Sequence, residues 1–566
     1  MAAGCSCAAR TGESRYTIGA MQVLSAAEMQ ICDCVTTERF GVPSLKLMRA
    51  AASSVVVFAQ ERFPWARRVT VLCGRGNNGG DGMMVARKLA AAGLDVTTVL
   101  LGLPEGLTGD AAMAWRELAG TASGLIHVVR SAEELEQHSG ALQADLLVDA
   151  VVGTGFKPPL RGLALAALEW LRASRAPVLA VDLPSGWPAD ATTETVEGPV
   201  FPADAVVTFT APKPAHVFGQ LTRRWHQPVV VAPIGSPEEA IVSSLGLGWA
   251  GEAHALVEAP RATAANKGRF GHVLVVGGSV GKSGAPAMAA LAALRAGAGL
   301  VTAAVPREVL PQVAAVAPEL MTWPLAADAE GMIGAENATP GRLAALLAGK
   351  TVLAIGPGLG QSRDAARYVR ELLAQSAMPA VLDADALNLL AKQPAQLAKL
   401  AEGRTVVLTP HPGEMARLTG RTTAEVQSNR LQVAREFAQR NGVTLVLKGW
   451  RTLIAHPDGR VAVNTTGNPG MAKGGSGDVL TGLVAGVLAQ YADEPARAVE
   501  AAVYLHGLAA DLAVREQDEH TLLATDSLAQ LARAFRFRSR GGNGYVWLQG
   551  LPAEPAPATG SHEAAE

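Results

Sequence analysis

The sequence predicts an α/β protein with two successive sheets: a doubly wound parallel sheet in the N-terminal half and a mostly parallel sheet in the C-terminal half. In both halves, short runs of aliphatic and β-branched residues alternate with longer amphipathic segments. Glycine-rich segments follow several of these runs, where open α/β folds bind ligands. The length of 566 residues also exceeds what a single hydrophobic core organises.

The N-terminal half begins with a segment, residues 1–20, that we expect to be a disordered leader. An amphipathic helix is predicted from Leu24, and the first predicted domain spans 21–235. Its strands are predicted at 69–73, 95–101, 125–129, 145–152, 177–183, 205–211 and 228–235. Residues 236–265 contain Pro, Gly and Ala without a sustained period, which predicts a linker.

The C-terminal half, predicted to span 266–540, repeats the alternation. The spacing predicts a mostly parallel sheet with an antiparallel edge, in which Asp458-Gly459 forms a hairpin turn. Its strands are predicted at 272–278, 300–305, 351–360, 379–385, 404–412, 443–449, 451–455 and 461–467. Residues 541–566 are poor in apolar side chains and rich in Pro and Ala, which predicts a disordered tail.

Composition excludes several classes of function. A formal net charge of −2 and a pI near 6.6 favour neither nucleic acid nor an anionic membrane as a partner. No apolar stretch reaches the roughly 20 residues that span a bilayer, and the N-terminus lacks a secretion signal. Five cysteines, an odd number, are typical of a reducing compartment. We therefore expect a cytoplasmic enzyme acting on small molecules. The pairs Cys5/Cys7 and Cys32/Cys34 lack the usual zinc spacing.

The segment Gly474-Gly475-Ser476-Gly477-Asp478 is the strongest functional signal. Glycines allow consecutive backbone N–H groups to face one anion, and the apolar residues that follow at helical spacing place them at a helix N-terminus. We expect a phosphate-binding loop in which Asp478 accepts a proton from a hydroxyl group or holds a metal ion. The alternative is a glycine-rich loop with a capping aspartate.

The N-terminal half carries a second site. Gly74-x-Gly76-x-x-Gly79 after a strand matches the dinucleotide fingerprint of a Rossmann-like fold, with Asp95 about twenty residues on. Asn77, Asn78 and Asp81 add side-chain oxygens to that loop. Further oxygens follow other strands at Asp149, Asp182 and Ser185, and we expect all of them at one sheet edge, where hard ligands suit an alkali or alkaline-earth cation. Strand-end capping is the alternative for each aspartate. Lys213 is either a phosphate contact or a surface lysine.

These motifs resemble two known families. GGSGDVLTG (474–482), TPHPGE (409–414), LVLKG (445–449) and VLDADALN (381–388) resemble the ribokinase-like NAD(P)H-hydrate dehydratases. GRGNNGGDG (74–82), VDAVVGTG (148–155) and VDLPSGW (181–187) resemble the NAD(P)H-hydrate epimerases. Together, over residues 24–534, they resemble the bifunctional nicotinamide-nucleotide repair family.

The epimerase resemblance implies a potassium ion bound by Asn78, Asp149 and Ser185. It implies Asp182 as the acid/base at C6 of the hydrated ring. The residues implied to bind the hydrated dinucleotide are Asn77, Asn78, Gly79, Gly80, Asp81, Gly153, Thr154, Gly155, Phe156, Lys157, Pro158, Pro159 and Asp182.

The dehydratase resemblance implies Mg²⁺ and a phosphoryl donor, for which we favour ADP over ATP, and Asp478 as the catalytic residue. Asp383 and Asp385 either orient Mg²⁺ through water or cap strand ends. Hydrated NADH or NADPH is implied to contact Ala285, Gly360, His411, Pro412, Gly413, Glu414, Arg417 and Asp478. The alternative for His411 is a structural histidine between Pro410 and Pro412. The nucleotide is implied to contact Lys448, Gly449, Trp450, Arg451, Thr452, Asn468, Gly470, Lys473, Gly474, Gly475, Ser476 and Gly477. We also expect a homo-oligomer.

Two rival functions differ in class. A vitamin or sugar kinase fused to a dehydrogenase would need a catalytic His or Tyr-x-x-x-Lys in the N-terminal half, and the sequence has neither. A module that only senses NAD(P)H or docks a partner would not need Asp182 or the 77–81 loop.

Overall fold

The computed structural model describes residues 21–121, 124–392 and 396–552, and the predicted leader and most of the predicted tail lie outside them. The described strands form an eight-stranded and a ten-stranded sheet, which confirms the predicted α/β class. The strands are β1 Arg68–Cys73, β2 Asp95–Leu101, β3 Leu125–Val129, β4 Leu146–Ala150, β5 Val178–Val181, β6 Ala205–Phe209, β7 Val229–Ala232, β8 Leu247–Trp249, β9 His272–Val276, β10 Leu300–Pro306, β11 Met321–Leu325, β12 Val352–Ile355, β13 Ala380–Leu382, β14 Val406–Leu408, β15 Thr444–Leu447, β16 Leu453–Ala455, β17 Val461–Val463 and β18 Val546–Gln549.

The α-helices are α1 Ala26–Glu38, α2 Ser44–Arg62, α3 Asn77–Ala91, α4 Gly109–Ala119, α5 Ala132–Gln137, α6 Gly162–Leu171, α7 Pro214–Phe218, α8 Ala255–Glu258, α9 Gly284–Arg295, α10 Leu310–Ala314, α11 Pro340–Leu347, α12 Arg363–Ala374, α13 Ala384–Ala391, α14 Gln396–Ala401, α15 Pro412–Thr419, α16 Thr423–Ser428, α17 Arg430–Asn441, α18 Ser476–Gln490, α19 Pro495–Ala513, α20 Ala524–Ala529 and α21 Leu531–Arg536. None of these helices has the length and apolar composition needed to cross a membrane.

The N-terminal sheet has the strand order β18-β7-β6-β5-β4-β1-β2-β3, and β1 to β7 are parallel. The chain leaves β1 toward β2 on one side and returns to β4 on the other. A crevice therefore opens between the carboxyl ends of β1 and β4, which is where folds of this kind bind ligands.

The C-terminal sheet has the order β11-β10-β9-β12-β13-β14-β15-β16-β17-β8. Its direction of winding changes between β9 and β12, so its ligand crevice lies beside those strands. The predicted hairpin is confirmed, because β16 and β17 are antiparallel and Gly459 takes a φ of 88° in the turn. The strands carry side chains that are buried on both faces, as parallel sheets covered by helices require.

Two segments differ from the sequence-based expectation. The predicted linker contains β8, which pairs in parallel with β17 and so covers the hairpin edge of the C-terminal sheet. The predicted tail contains β18, which pairs antiparallel with β7 of the N-terminal sheet. Each strand is three or four residues long and gains its hydrogen bonds from a distant partner, a contact that local composition does not reveal.

Candidate active sites

The first site lies in the crevice between β1 and β4. Gly76 precedes α3, whose first residue is Asn77, so the helix N-terminus points toward the crevice. The tight approach depends on glycine: a Cβ at Gly79 would lie 1.9 Å from the Gly74 carbonyl oxygen, and one at Gly74 would lie 1.9 Å from that of Val151. The fingerprint glycines therefore allow α3 to begin against the end of β4.

Asp182 lies at the centre of a buried network on this edge. Its Oδ1 accepts hydrogen bonds from Lys213 Nζ at 3.0 Å and from Thr208 Oγ1 at 2.9 Å. Its Oδ2 accepts from the Thr154 backbone N–H at 3.2 Å and faces Gly153. Burial raises the pKa of Asp182, but the Lys213 ammonium and the hydrogen bonds outweigh it and leave that pKa below the usual value. Asp182 is therefore a carboxylate with one oxygen locked and the other directed at the loop that follows β4.

Lys213 is a buried partner of that carboxylate, which excludes both sequence-based alternatives. The side chain is 2% exposed, and Nζ also donates to Thr208 Oγ1 at 2.9 Å and to the Phe209 carbonyl oxygen at 3.4 Å. All three ammonium protons thus have acceptors inside the protein. Lys213 is neither a solvated surface lysine nor a free contact for a phosphate.

His216 supports Asp182 from the other side. The Lys213 backbone N–H donates to His216 Nδ1 at 2.9 Å, so Nε2 carries the proton and donates to the Asp182 carbonyl oxygen at 2.7 Å. Burial and the neighbouring Lys213 lower the pKa of His216 to about 4, so the ring is neutral at pH 7. Asp182 itself has a φ of 65°, a left-handed backbone that a non-glycine residue adopts only when its surroundings hold it there.

Asp149 and Ser185 bond to each other, and Asn78 lies beside Gly153, where a Cβ would be 3.2 Å from both Asn78 Cβ and Asp182 Oδ2. Asp149 is fully buried; its Oδ2 accepts from the Ser185 backbone N–H at 2.7 Å and its Oδ1 from Ser185 Oγ at 2.6 Å. Burial raises the pKa of Asp149 to about 6 despite these bonds, and a cation nearby would oppose that rise. Both amide atoms of Asn78 are buried and have no hydrogen-bond partner among the described residues. Such an unsatisfied group fits an ion or ligand that supplies the missing partner.

The remaining predicted residues line the same edge. Thr154 is held by Asp182, whereas Gly155, Lys157, Pro158 and Pro159 are exposed at its rim. Burial, together with the neighbouring Asp182 carboxylate, raises the pKa of Asp81 well above its usual value. Thr208 and His216 are functional neighbours that the sequence analysis missed, because their roles depend on contacts across β5 and β6.

The second site lies at the N-terminus of α18. Gly475 precedes the helix with a φ of 95°, and Ser476 begins it. Close packing against α9 orients this terminus: a Cβ at Gly482 would lie 2.0 Å from the Ala289 carbonyl oxygen. The amides of residues 474–477 therefore stand at a fixed helix end, where the dipole favours an anion.

Lys448, which follows β15, lies between this helix end, Asp383 after β13 and Glu414 in α15. Its Nζ donates to Asp383 Oδ1 at 2.9 Å and lies 3.9 Å from Glu414 Oε2, while Thr481 Oγ1 donates to Asp383 Oδ2 at 2.7 Å. A Cβ at Gly477 would lie 3.4 Å from Nζ, which places the ammonium beside the glycine loop. Although burial lowers the pKa of Lys448, the Asp383 and Glu414 carboxylates outweigh it and raise that pKa above its usual value. Lys448 is therefore a permanent cation next to the candidate phosphate site.

Asp478 faces the same space without a bonded lysine. Burial and the nearby Asp383 charge raise the pKa of Asp478 to about 6, against the attraction of Lys448. The Lys448 ammonium is already hydrogen-bonded to Asp383, so Asp478 feels its charge only at a distance. This carboxylate changes protonation close to neutral pH, as a general base must.

A cavity of 600 Å³ opens beside Lys448 and the α18 N-terminus. Most of the residues predicted to bind nucleotide line it: Lys448, Gly449, Trp450, Arg451, Thr452, Asn468, Lys473, Gly474, Ser476 and Gly477. The predicted contacts Gly470 and Gly475 are not among its lining residues. His506 of α19 also lines it, and burial lowers the pKa of His506 to about 4, so the ring is neutral. The sequence analysis missed His506, because a histidine in an apolar helix is indistinguishable from a core residue by pattern alone.

Several predicted residues are occupied by contacts within the protein. The Arg451 guanidinium bonds to the Thr465 carbonyl oxygen at 2.7 Å and to Gln549, and Trp450 Nε1 donates to the Phe218 carbonyl oxygen at 2.9 Å. Lys473 Nζ reaches the His520 carbonyl oxygen at 2.5 Å. Asn468 bonds to Asp511, and Arg417 to Asn388.

The loops predicted to contact the hydrated substrate lie beside α18. Gly360 N donates to Asp385 Oδ2 at 2.9 Å, and a Cβ at Gly358 would lie 3.2 Å from that of Ala285. His411 precedes α15; its Nδ1 accepts from Gly413 N at 3.0 Å, and Glu414 Oε2 accepts from His411 N at 2.8 Å. This cap fixes the orientation of the ring. Asp383 and Asp385 both already accept hydrogen bonds on each oxygen.

Within the described part of the chain, no group of three or more His, Cys, Asp or Glu side chains is arranged to hold a metal ion. The Asn78, Asp149 and Ser185 set contains only one carboxylate and relies on neutral oxygens. Such a set suits a monovalent cation better than a divalent one. Cys32 is a buried free thiol, and Cys5 and Cys7 lie outside the described residues.

The chain is similar to known proteins along nearly its whole length. Residues 273–533 match the family described as NAD(P)H-hydrate dehydratase, and residues 44–215 match the family described as YjeF-related protein N-terminus. The bifunctional NAD(P)H-hydrate repair enzyme Nnr of Moorella thermoacetica is 41% identical over 530 residues, covering 91% of this chain and 97% of that protein. Its Escherichia coli K12 counterpart is 35% identical, covering 87% and 90%. The ADP/ATP-dependent NAD(P)H-hydrate dehydratase from Bacillus subtilis, co-crystallised with ATP/Mg²⁺, is 35% identical with a TM-score of 0.43, covering 50% of this chain and 96% of that one.

Proposed function

The chain belongs to the family of bifunctional NAD(P)H-hydrate repair enzymes, and from that premise we propose how its two sites divide the work. The protein is an enzyme with an epimerase and a dehydratase domain. We assign epimerisation of hydrated NADH and NADPH to the site at Asp182, and dehydration of the S form to the site at Asp478. We assign the epimerase domain to residues 21–235, with β18 added to its sheet, and the dehydratase domain to residues 266–540, with β8 added to its sheet.

The dehydration uses phosphoryl transfer. The C6 hydroxyl oxygen of the hydrated ring attacks the terminal phosphorus of ADP, Asp478 takes the hydroxyl proton, and AMP leaves. The C6–O bond then breaks with release of phosphate as the ring-nitrogen lone pair forms N1=C6, and loss of a C5 proton restores the dihydropyridine. The amides of residues 474–477 and Lys448 stabilise the charge on the transferred group.

Mg²⁺ would arrive with the nucleotide. The carboxylates of Asp383 and Asp385 are already hydrogen-bonded, so phosphate oxygens and water would supply most of its ligands, as is common for this ion. When bound, it would neutralise phosphate charge. Lys448 supplies the fixed positive charge from the protein.

Epimerisation needs a group that takes the proton from the hydroxyl group on C6 and later returns it. The C6 atom of the hydrate carries both a hydroxyl group and the ring nitrogen, so it is a carbinolamine. Asp182 Oδ2 takes the hydroxyl proton, the C6–N1 bond opens to an aldehyde, and the proton is delivered to N1. Rotation about C5–C6 and the reverse steps then close the ring on the other face. The ionised state of Asp182, secured by Lys213, supports its role as the base.

Potassium is proposed as the ion at Asn78, Asp149 and Ser185. The unsatisfied, buried amide of Asn78 supports this assignment. The site would order the loop after β4, whose Thr154 N–H bonds to Asp182. We also propose that the protein is cytoplasmic and homo-oligomeric. The odd number of cysteines supports the cytoplasmic location.

The observation that carries the proposal is Lys448 beside the glycine loop at the start of α18, with Asp478 in its first turn. The test incubates the purified protein and Mg²⁺ with mixed epimers of hydrated NADPH, and with ADP, ATP or neither. We expect the dihydronicotinamide absorbance to return with ADP, together with one AMP and one phosphate per molecule restored. No recovery with either nucleotide would refute the function. Recovery with ATP alone would refute only the donor.

The rival kinase function predicts a different product. A vitamin or sugar kinase would accumulate a stable phosphorylated compound and would leave hydrated NADPH unchanged. The same reaction separates the two functions: unchanged hydrated NADPH and unspent nucleotide would favour the rival, whereas restored dihydronicotinamide without a persistent phosphorylated compound would exclude it.

A further inference from the structure

The short helix α7, Pro214–Phe218, lies between the two halves of the molecule. Its first turn contains His216, whose Nε2 proton holds the Asp182 carbonyl oxygen, and Lys213 immediately precedes it. His216 of α7 therefore holds the backbone of Asp182, and Lys213, just before α7, holds its carboxylate.

The other end of α7 is held by the C-terminal half. Trp450 Nε1 donates to the Phe218 carbonyl oxygen at 2.9 Å, and Arg451 Nη2 to the Gly219 carbonyl oxygen at 3.3 Å. The last carbonyls of a helix have no partner within it. Here the carbonyl of Phe218, the last residue of α7, and that of Gly219, which caps the helix, receive donors from residues more than two hundred positions away in the sequence.

Trp450 and Arg451 are themselves held firmly. The Arg451 guanidinium lies 4.4 Å from the centre of the Trp450 ring and bonds to the Thr465 carbonyl oxygen at 2.7 Å. The Arg451 backbone has a φ of 51°, and its side chain is buried. A non-glycine residue keeps this conformation only when its surroundings over-determine it. These two residues are therefore a rigid support for the end of α7.

α7 has five residues, so its two ends move together. A shift of Phe218 and Gly219 would also move His216 and, through it, the strained Asp182 backbone. Proton transfer is sensitive to such shifts, since a displacement of about 1 Å can cost roughly a hundredfold in rate.

We propose that Trp450, supported by Arg451, is a positioning residue for epimerisation: it lies in the dehydratase half and holds Asp182 in place through α7 and His216. The inference rests on the proposed epimerase function of the Asp182 site. It assigns to Trp450 a role in the reaction of the other domain, besides its place in the wall of the nucleotide cavity.

The test compares two tryptophans that each donate an indole N–H between the halves. Trp450→Phe removes the bond to α7, whereas Trp225→Phe removes a bond to Glu519 that does not involve α7. Interconversion of purified R and S hydrates is followed by chromatography without any nucleotide, so that changes in nucleotide binding do not contribute. We expect kcat to fall about tenfold in Trp450→Phe, with KM within about twofold, and both constants to stay at the parental values in Trp225→Phe.

A double-mutant cycle tests the route. If Trp450 acts through His216, then Trp450→Phe should slow a His216→Asn protein by less than about twofold further. Independent, multiplicative losses would overturn the route, and a parental rate in Trp450→Phe would overturn the proposal. Should His216→Asn fail to fold, the comparison of the two tryptophan variants still decides. Should Trp450→Phe fail to fold, Trp450→Leu, which also lacks a side-chain donor, repeats it.

The parental protein separates this inference from the proposed function. If the parental protein does not interconvert the hydrates, the epimerase assignment fails. If it does, and Trp450→Phe and Trp225→Phe behave alike, only the inference fails.

Discussion

Asp182 and Asp478 both lie near a lysine, yet their surroundings move their pKa values in opposite directions. Lys213 bonds directly to Asp182 and outweighs the effect of burial. Lys448 bonds to Asp383 instead, so burial and the Asp383 charge raise the pKa of Asp478 to about 6. One carboxylate is therefore ionised over a wide pH range, and the other titrates close to neutrality.

The dehydration rate should consequently depend on pH near 6. Asp478 must be ionised to accept the hydroxyl proton, so kcat/KM should be constant above about pH 7 and should fall tenfold per unit well below pH 6. The measurement is the rate of dihydronicotinamide recovery from purified S hydrate at saturating Mg²⁺ and nucleotide. A flat profile between pH 5 and pH 8 would show that Asp478 is not the base.

The potassium site has a sharper test than the removal of Asp149. Asp149 bonds twice to buried Ser185, so its loss would also damage the fold. Asn78→Ala removes a side chain that makes no hydrogen bond within the described structure. We expect K⁺ to raise the melting temperature and the epimerisation rate of the parental protein, and to leave Asn78→Ala unaffected. An equal response to K⁺ in both proteins would place the ion elsewhere.

The sequence predicts the charged residues at strand ends, because strands and the loops after them have local patterns. Asp149, Asp182 and the 474–477 loop lie where those patterns place them. The partners that set their chemistry are not locally visible. Lys213 follows a strand in a way that fits a surface residue equally well, and only tertiary packing buries its ammonium against Asp182.

At the scale of elements, β18 is more than an added strand. Its Gln549 is buried; it bonds to the Arg451 guanidinium and donates to Thr222 Oγ1 at 2.9 Å and the Gln227 carbonyl oxygen at 2.8 Å. Burial lowers the pKa of Arg451 to about 10. A buried cation is costly unless its N–H groups are hydrogen-bonded. β18 thereby satisfies a buried cation of the C-terminal half while pairing with the N-terminal sheet.

Gln549→Leu should destabilise the protein by about 2–3 kcal/mol, because it leaves a buried guanidinium and a buried hydroxyl short of partners. The matched control is Asn543→Leu, which removes an exposed amide contact with Glu61 from the same segment and should cost less than about 0.5 kcal/mol. Denaturant unfolding of the three proteins provides the comparison. Equal stability of the Gln549 and Asn543 variants would contradict this role for Gln549.

At the scale of the whole molecule, the two sites lie on different sheets. The first lies at the change of winding between β1 and β4, and the second draws Asp383 and Lys448 from the carboxyl ends of β13 and β15. The sheet class is predictable from the alternation of strands and helices. The sequence does not predict that β8 joins the C-terminal sheet and β18 the N-terminal sheet, because each strand is short and its partner is distant in the sequence. The predicted linker and tail are therefore partly built into the sheets.

Separate sites predict separable activities. Asp478→Asn should reduce dehydration by at least about a hundredfold, since it removes the base, and should leave R/S interconversion at the parental rate. Asp182→Asn should reduce R/S interconversion and, when pure S hydrate is supplied, should leave dehydration at the parental rate. Both activities are measured on the same preparations with circular dichroism as a check of folding. Loss of both activities in either folded variant would argue for a shared site.

During synthesis, the edge of β7 that pairs with β18 stays unpaired until β18 has been translated. β7 leaves the ribosome before the entire C-terminal half is made, and roughly 300 further residues follow before its partner strand appears, which takes about 15–60 s at about 5–20 residues per second. Throughout that interval the backbone edge of β7 is open and able to pair with another nascent chain. Slowing translation between the halves should therefore increase aggregation of this protein, even though its mature sequence is unchanged.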